Sequence, residues 1–144
     1  MPTSHKATDL KKQLISAGFE IFRVQGDRVH LAERVRDNLI MDGGVCVVGG
    51  DELCVRLILK TSRSGFPNES DAQLFDRTRS LAASAMARGY EEVGAAAVPV
   101  RDPSGGAAPL ETWYEVTYQK SVSDDDLLAE VRYALALEKS HGTG

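Results

Sequence analysis

Residues 49–52, Gly49-Gly50-Asp51-Glu52, set two glycines directly before two carboxylates, between apolar runs at 45–48 and 53–61. Glycine lets a backbone approach a ligand closely, and adjacent carboxylates can hold a divalent ion such as Mg²⁺. The same four residues also suit a tight reversal between two strands, and the rest of the chain favours that use. Cys46 and Cys54 offer thiols, but both lie in apolar runs, where cysteine is ordinarily buried; a reactive thiol needs a base and an electropositive setting. His5, His30 and His141 are scattered, without the spacing of a zinc site. Asp124, Asp125 and Asp126 stand at a predicted helix start, where acids complement the helix dipole. There is no Gly-x-Ser-x-Gly elbow, and "GGVCVVGG" lacks the Lys-Ser/Thr of a phosphate loop. Nothing gathers a nucleophile, a base and an oxyanion donor, so the expectation is a non-catalytic protein with no metal and no cofactor.

A chain of 144 residues suits one domain, 1–144, with a proper core. The apolar share of 42% and charged share of 26% are those of a soluble globular protein. A net charge of −4 leaves no basic surplus for a polyanion, so nucleic acid is not expected as a partner. Two cysteines make no disulfide scaffold, and no apolar run suggests a signal core or a bilayer span. The expected setting is the reducing cytoplasm, without membrane association.

Several elements must position these residues. Leu10 and Leu14 mark a helix over 8–17, stopped by Gly18. Residues 19–24 are aromatic and β-branched and read as a strand, with Gly26-Asp27 a turn. Residues 28–41, "RVHLAERVRDNLIM", fit a helix with Leu31, Val35 and Leu39 on one face; a strand reading alternates with a lapse at Glu33. Their Ala, Glu, Arg and Leu content and their length favour the helix. Strands follow at 45–48 and 53–61. Ser70 and Gln73 form a capping box for a helix that Arg88-Gly89 closes. Its apolar side carries Leu74, Leu81 and Ala85, with Phe75, Ala82 and Met86 beside them. Residues 92–100 form a strand whose Pro99 marks an edge. Residues 110–119 form another, with Tyr114, Val116 and Tyr118 on one face and Trp113 on the other. Ser123 caps a last helix whose stripe is Leu128, Val131 and Leu135, with Lys139 and His141 at its negative end. The final "GTG" is expected to fray.

The expected fold is α+β: a ferredoxin-like βαββαβ core with an extra N-terminal helix, a fifth strand and a C-terminal helix, burying Phe22 and Leu57. "GGDEL" at 49–53 resembles the signature of diguanylate cyclases, which carry it on the β2–β3 hairpin of such a core. The resemblance implies nucleotide and metal contacts from Gly49, Gly50, Asp51 and Glu52, with Glu20 as the facing carboxylate. This chain departs from that family in having Leu53 where Phe is usual and Val48 where Arg is usual. Were residues 28–41 extended, the order would be α-β-β-β-β-α-β-β-α. That order is similar to the small acidic chaperones of type III secretion, in size and acidity as well. It would imply a dimer that co-purifies with a larger protein.

A four-residue turn pairs Val48 with Leu53. It then places Cys46, Val48, Leu53, Val55, Leu57 and Leu59 on the core face and sends the two cysteines to opposite sides; a bulge in the turn reverses that parity. Arg56 and Lys60 fall on the outer face. With Trp113 they form the expected contact surface for a protein partner or a second copy. The other reading for Trp113 is packing beneath the 101–109 loop, and for the two cations a solvated strand face.

Overall fold

A computed structural model of the protein describes residues 5–37, 39–106 and 108–141. The elements run α1 (Ala7–Ser16), β1 (Ile21–Gln25), β2 (Arg28–Arg36), β3 (Leu39–Val48), β4 (Cys54–Ser62), α2 (Asp71–Ser80), α3 (Ala83–Ala87), β5 (Glu91–Val100), β6 (Glu111–Ser121) and α4 (Leu127–His141). The fold is α+β, with an open antiparallel six-stranded sheet in the order β1-β2-β3-β4-β6-β5. The expectations for the side chains of Val35 and His141, and for residues 142–144, lie outside the described residues.

Two expectations are corrected here. Arg28–Arg36 and 39–41 are extended rather than helical: β2 pairs with β3 from Arg28↔Val48 to Arg36↔Leu39, with register shifts between His30 and Ala32 and between Arg34 and Arg36. Burial of Val29 and Leu31, at zero exposure, outweighs the helix propensity of the Ala-Glu-Arg composition. The ferredoxin-like core therefore does not form. Four consecutive strands pair as neighbours with no helix among them, and the sheet has six strands, not five.

The chain divides into two compact units. The first takes the chain up to Leu57 together with Gln119–Lys139. Here Leu10 and Leu14 of α1, as expected, are buried with Val29, Leu31, Val45, Val47, Val55 and Leu57. From α4 the buried apolar residues are Leu127, Val131 and Ala134, so its apolar stripe is turned by one residue from the predicted Leu128 and Leu135, which are half-buried. Full burial of each such aliphatic chain contributes about 1.5–3 kcal/mol before ordering costs. Phe22 lies outside this core, because β1 is an edge strand exposed over Phe22–Gln25. Ser123 Oγ accepts the Asp126 amide at 3.3 Å, the expected cap.

The β3–β4 register also differs by one from the expectation. Val45 pairs with Leu57, Val47 with Val55 and Val48 with Cys54. Val45 and Val47 therefore face the core, while Cys46, Val48, Cys54 and Arg56 share the opposite face. The two thiols sit on one side after all, diagonal across the ladder, and both are free.

The second unit takes Ile58–Tyr118 and the residues from Ser140 on. The capping box forms as read: Ser70 Oγ accepts the Gln73 amide at 3.2 Å and Gln73 Oε1 accepts the Ser70 amide at 2.8 Å. The helix stops at Ser80 and restarts as the short α3, rather than running on to Arg88. Its buried residues are Leu74 and Thr78, joined by Ala82 and Ala85 around the break, whereas Met86 is exposed. Tyr114, Val116 and Tyr118 of β6 are buried, as their alternation predicts. Thr78 Oγ1 lies 2.8 Å from Thr61 Oγ1 and 2.9 Å from the Tyr114 carbonyl, which ties α2 to both strands. The Phe75 ring meets Tyr114 edge-on at 5.1 Å.

Candidate interaction site

The Gly49–Glu52 corner belongs to the first unit, and its glycines have a structural use. The backbones of His5 and Gly50 exchange two hydrogen bonds, His5 N–H to Gly50 O at 2.9 Å and Gly50 N–H to His5 O at 2.8 Å. A Cβ on Gly49 would stand 2.5 Å from the His5 carbonyl oxygen and 3.0 Å from Leu10 Cδ1, so only glycine lets the two segments meet. Gly50 has φ +93°, which also favours glycine. The Gly49 amide donates to the Asp27 carbonyl at 2.8 Å. These contacts lengthen the reversal and reset its parity, a non-local cause that a local turn rule does not contain. Asp51 and Glu52 are exposed, and Glu52 accepts a hydrogen bond from Ser121 Oγ. Glu20 holds Arg34 through both carboxylate oxygens, at 2.9 and 3.0 Å. Among the described residues, no three His, Cys, Asp or Glu side chains gather as a metal site would require.

Arg56 is also in the first unit. Its guanidinium donates to Gln119 Oε1 from Nε at 3.1 Å and from Nη2 at 2.6 Å, so the fork is occupied by a neutral amide. Cys46 is buried beside it, and that burial pushes its thiol above the usual range despite nearby Arg56 and Arg28. A thiol held in this form is a poor nucleophile.

Lys60 and Trp113 come together in the second unit. The Arg63 amide donates to the Thr112 carbonyl at 3.0 Å, which fixes β4 against β6. Lys60, Ser62, Trp113 and Glu115 then share the face opposite Thr61, Tyr114 and Val116. Lys60 Nζ stands 4.6 Å from the centroid of the Trp113 ring, a cation–π pair. Among the described residues Lys60 makes no ion pair.

Beside this pair lies a groove of about 460 Å³ lined by Lys60, Ser62, Phe66, Arg77, Leu81 and Trp113, among others. Arg77 stacks 3.9 Å over the Phe66 ring and donates to both Glu69 oxygens at 2.7 Å. That hydrogen bond holds the Glu69 carboxyl below its usual range and raises Arg77. One wall is thus an aromatic ring under a free ammonium; the other is an aromatic ring under a neutralised guanidinium. The sequence reading found Lys60 and Trp113 but missed Phe66 and Arg77. The available signal was Phe66 itself, an aromatic in the Gly- and Pro-bearing loop "SGFPNES".

The fold is α+β with an open antiparallel sheet, and the groove is lined by aromatic rings and cations. No protein-family model, no curated protein and no solved structure matches the chain. No helix among the described residues is long and apolar enough to cross a membrane.

Proposed function

We propose that this protein is a non-catalytic binding module that receives a protein partner at the Trp113 groove. The observation that carries the reading is the Lys60–Trp113 pair: a large aromatic surface, partly exposed, under a cation with no ion-pair partner among the described residues. Trp, Tyr and Arg are the residues that dominate binding energy at interfaces. The complementary group is an apolar or aromatic side chain next to a carboxylate, the first filling the groove and the second meeting Lys60. Arg56, which Gln119 holds, does not line this groove.

The test is capture from the native cell with wild-type protein and with Trp113→Ala as bait, followed by calorimetric titration of whatever only the wild type retains. Truncating an interface anchor should weaken binding by about thirtyfold, and Lys60→Ala by less. Unchanged capture and affinity with a folded Trp113→Ala variant would sink the reading.

A second reading, a small chaperone of the secretion type, is favoured by one observation. With 28–36 and 39–48 extended, the element order matches that of the class resembled, apart from the short α3. It requires the captured partner to be a larger protein delivered elsewhere. A partner that remains permanently bound at one place in the cell argues against it.

A further inference from the structure

β5 is the edge strand of the sheet, and all ten of its residues are exposed, on both faces. Its centre, Gly94-Ala95-Ala96-Ala97, carries nothing larger than a methyl group, so no side chain blocks an approach along the edge. Val93 (51% exposed), Val98 and Val100 add apolar surface on either side of it. Edge strands of this length are usually protected by charges, Pro, bulges or a covering loop, and of these β5 carries Glu91, Glu92 and Pro99, all towards its ends.

At its C-terminal end the Val100 carbonyl accepts the Leu110 amide at 2.9 Å, which closes the hairpin just before β6. Along an edge strand alternate residues aim their amide and carbonyl at the open side, where a second strand can bond to them. Pro99 has no N–H to offer on either side.

The charges are the second observation. Glu91 lies at one end of the strand and Arg101 just past the other, and among the described residues neither makes an ion pair. Glu92, by contrast, is held by Arg79 at 2.9 Å. Laid antiparallel about a two-fold axis at Ala96, two copies of β5 bring Glu91 of each opposite Arg101 of the other. The same register sets Ala95 against Ala97 and Val93 against Pro99, and the second pair can make at most one of its two hydrogen bonds.

We infer that β5 is a self-association edge: two copies of this chain pair strand to strand, antiparallel and centred on Ala96, with two Glu91–Arg101 ion pairs at the ends. The pairing is isologous and closes on itself, so it gives a dimer rather than a fibre. An extended strand from another protein would fill the same edge but would not need this two-fold match of charge.

Sedimentation velocity over a wide concentration range reads the association directly, and a concentration-dependent dimer is expected. In that register Ala96 lies directly opposite its own copy, about 4.5–5.5 Å between Cα atoms, which is within disulfide reach. Ala96→Cys should form a covalent dimer on mild oxidation, with the buried Cys46 and Cys54 as bystanders. Val98→Cys should not, because its copy would lie about 13 Å along the pair. Glu91→Arg should raise the dimer dissociation constant about tenfold, and adding Arg101→Glu should restore it. All of these positions are exposed, so folding is not at risk. A monomer at every concentration, equal cross-linking at 96 and 98, or a Glu91→Arg loss that Arg101→Glu leaves unrepaired would overturn the inference.

Discussion

β4 and β5 are almost the same length, yet none of the nine residues of β4 is exposed and none of the ten in β5 is covered. Both are extended, and both have a strand beside them. The difference lies in what each strand offers to bury. "CVRLILKTS" alternates large aliphatic with polar side chains, so one face builds core and the other holds hydrogen bonds such as Arg56 to Gln119. "EEVGAAAVPV" offers methyl groups and three isolated valines, too little apolar area to recruit cover. Strand geometry alone therefore predicts neither burial nor stability. The side chains decide which strand belongs to the core and which remains available for contact.

Substitutions can break this contrast or sharpen it. Leu57→Ala, at zero exposure in β4, should cost about 3 kcal/mol, read as a shift in the denaturation midpoint. Gly49→Ala, at the corner that feeds β4, should cost about 2 kcal/mol. It forces the His5 carbonyl away from a Cβ and loosens two backbone hydrogen bonds. Amide exchange should show the loss of protection concentrated at His5 and Gly50. Thr78→Val keeps the shape but leaves the Thr61 hydroxyl short of a buried partner. About 1–2 kcal/mol is expected, with no change in the slope against denaturant. Val98→Thr in β5 should stay within about 0.5 kcal/mol in dilute solution. A large loss there would mean that β5 is part of the core and would end the comparison.

What was legible in the sequence follows the same division. Strong local signals held: the Leu10/Leu14 stripe, the Ser70–Gln73 box, the Tyr114–Val116–Tyr118 alternation and the edge mark of Pro99. Signals that depend on distant neighbours failed. Residues 28–36 have a helix former's composition and became a strand because Val29 and Leu31 are fully buried there. The corner register slipped because Gly49 and Gly50 answer to His5 and Asp27, which no local turn rule sees. Of the site, Trp113 and Lys60 were legible as strand residues of known parity. Arg77 was not, because a charged residue on an amphipathic helix normally means only a solvated face.

Trp113 is the only tryptophan in 144 residues. Ultraviolet emission excited at the red edge of the indole band, where tyrosine does not absorb, therefore has a single address, beneath the Lys60 ammonium. A guest that lifts that ammonium or dries the ring would change the colour of the emitted light, and occupancy of the groove could be followed in a plain cuvette.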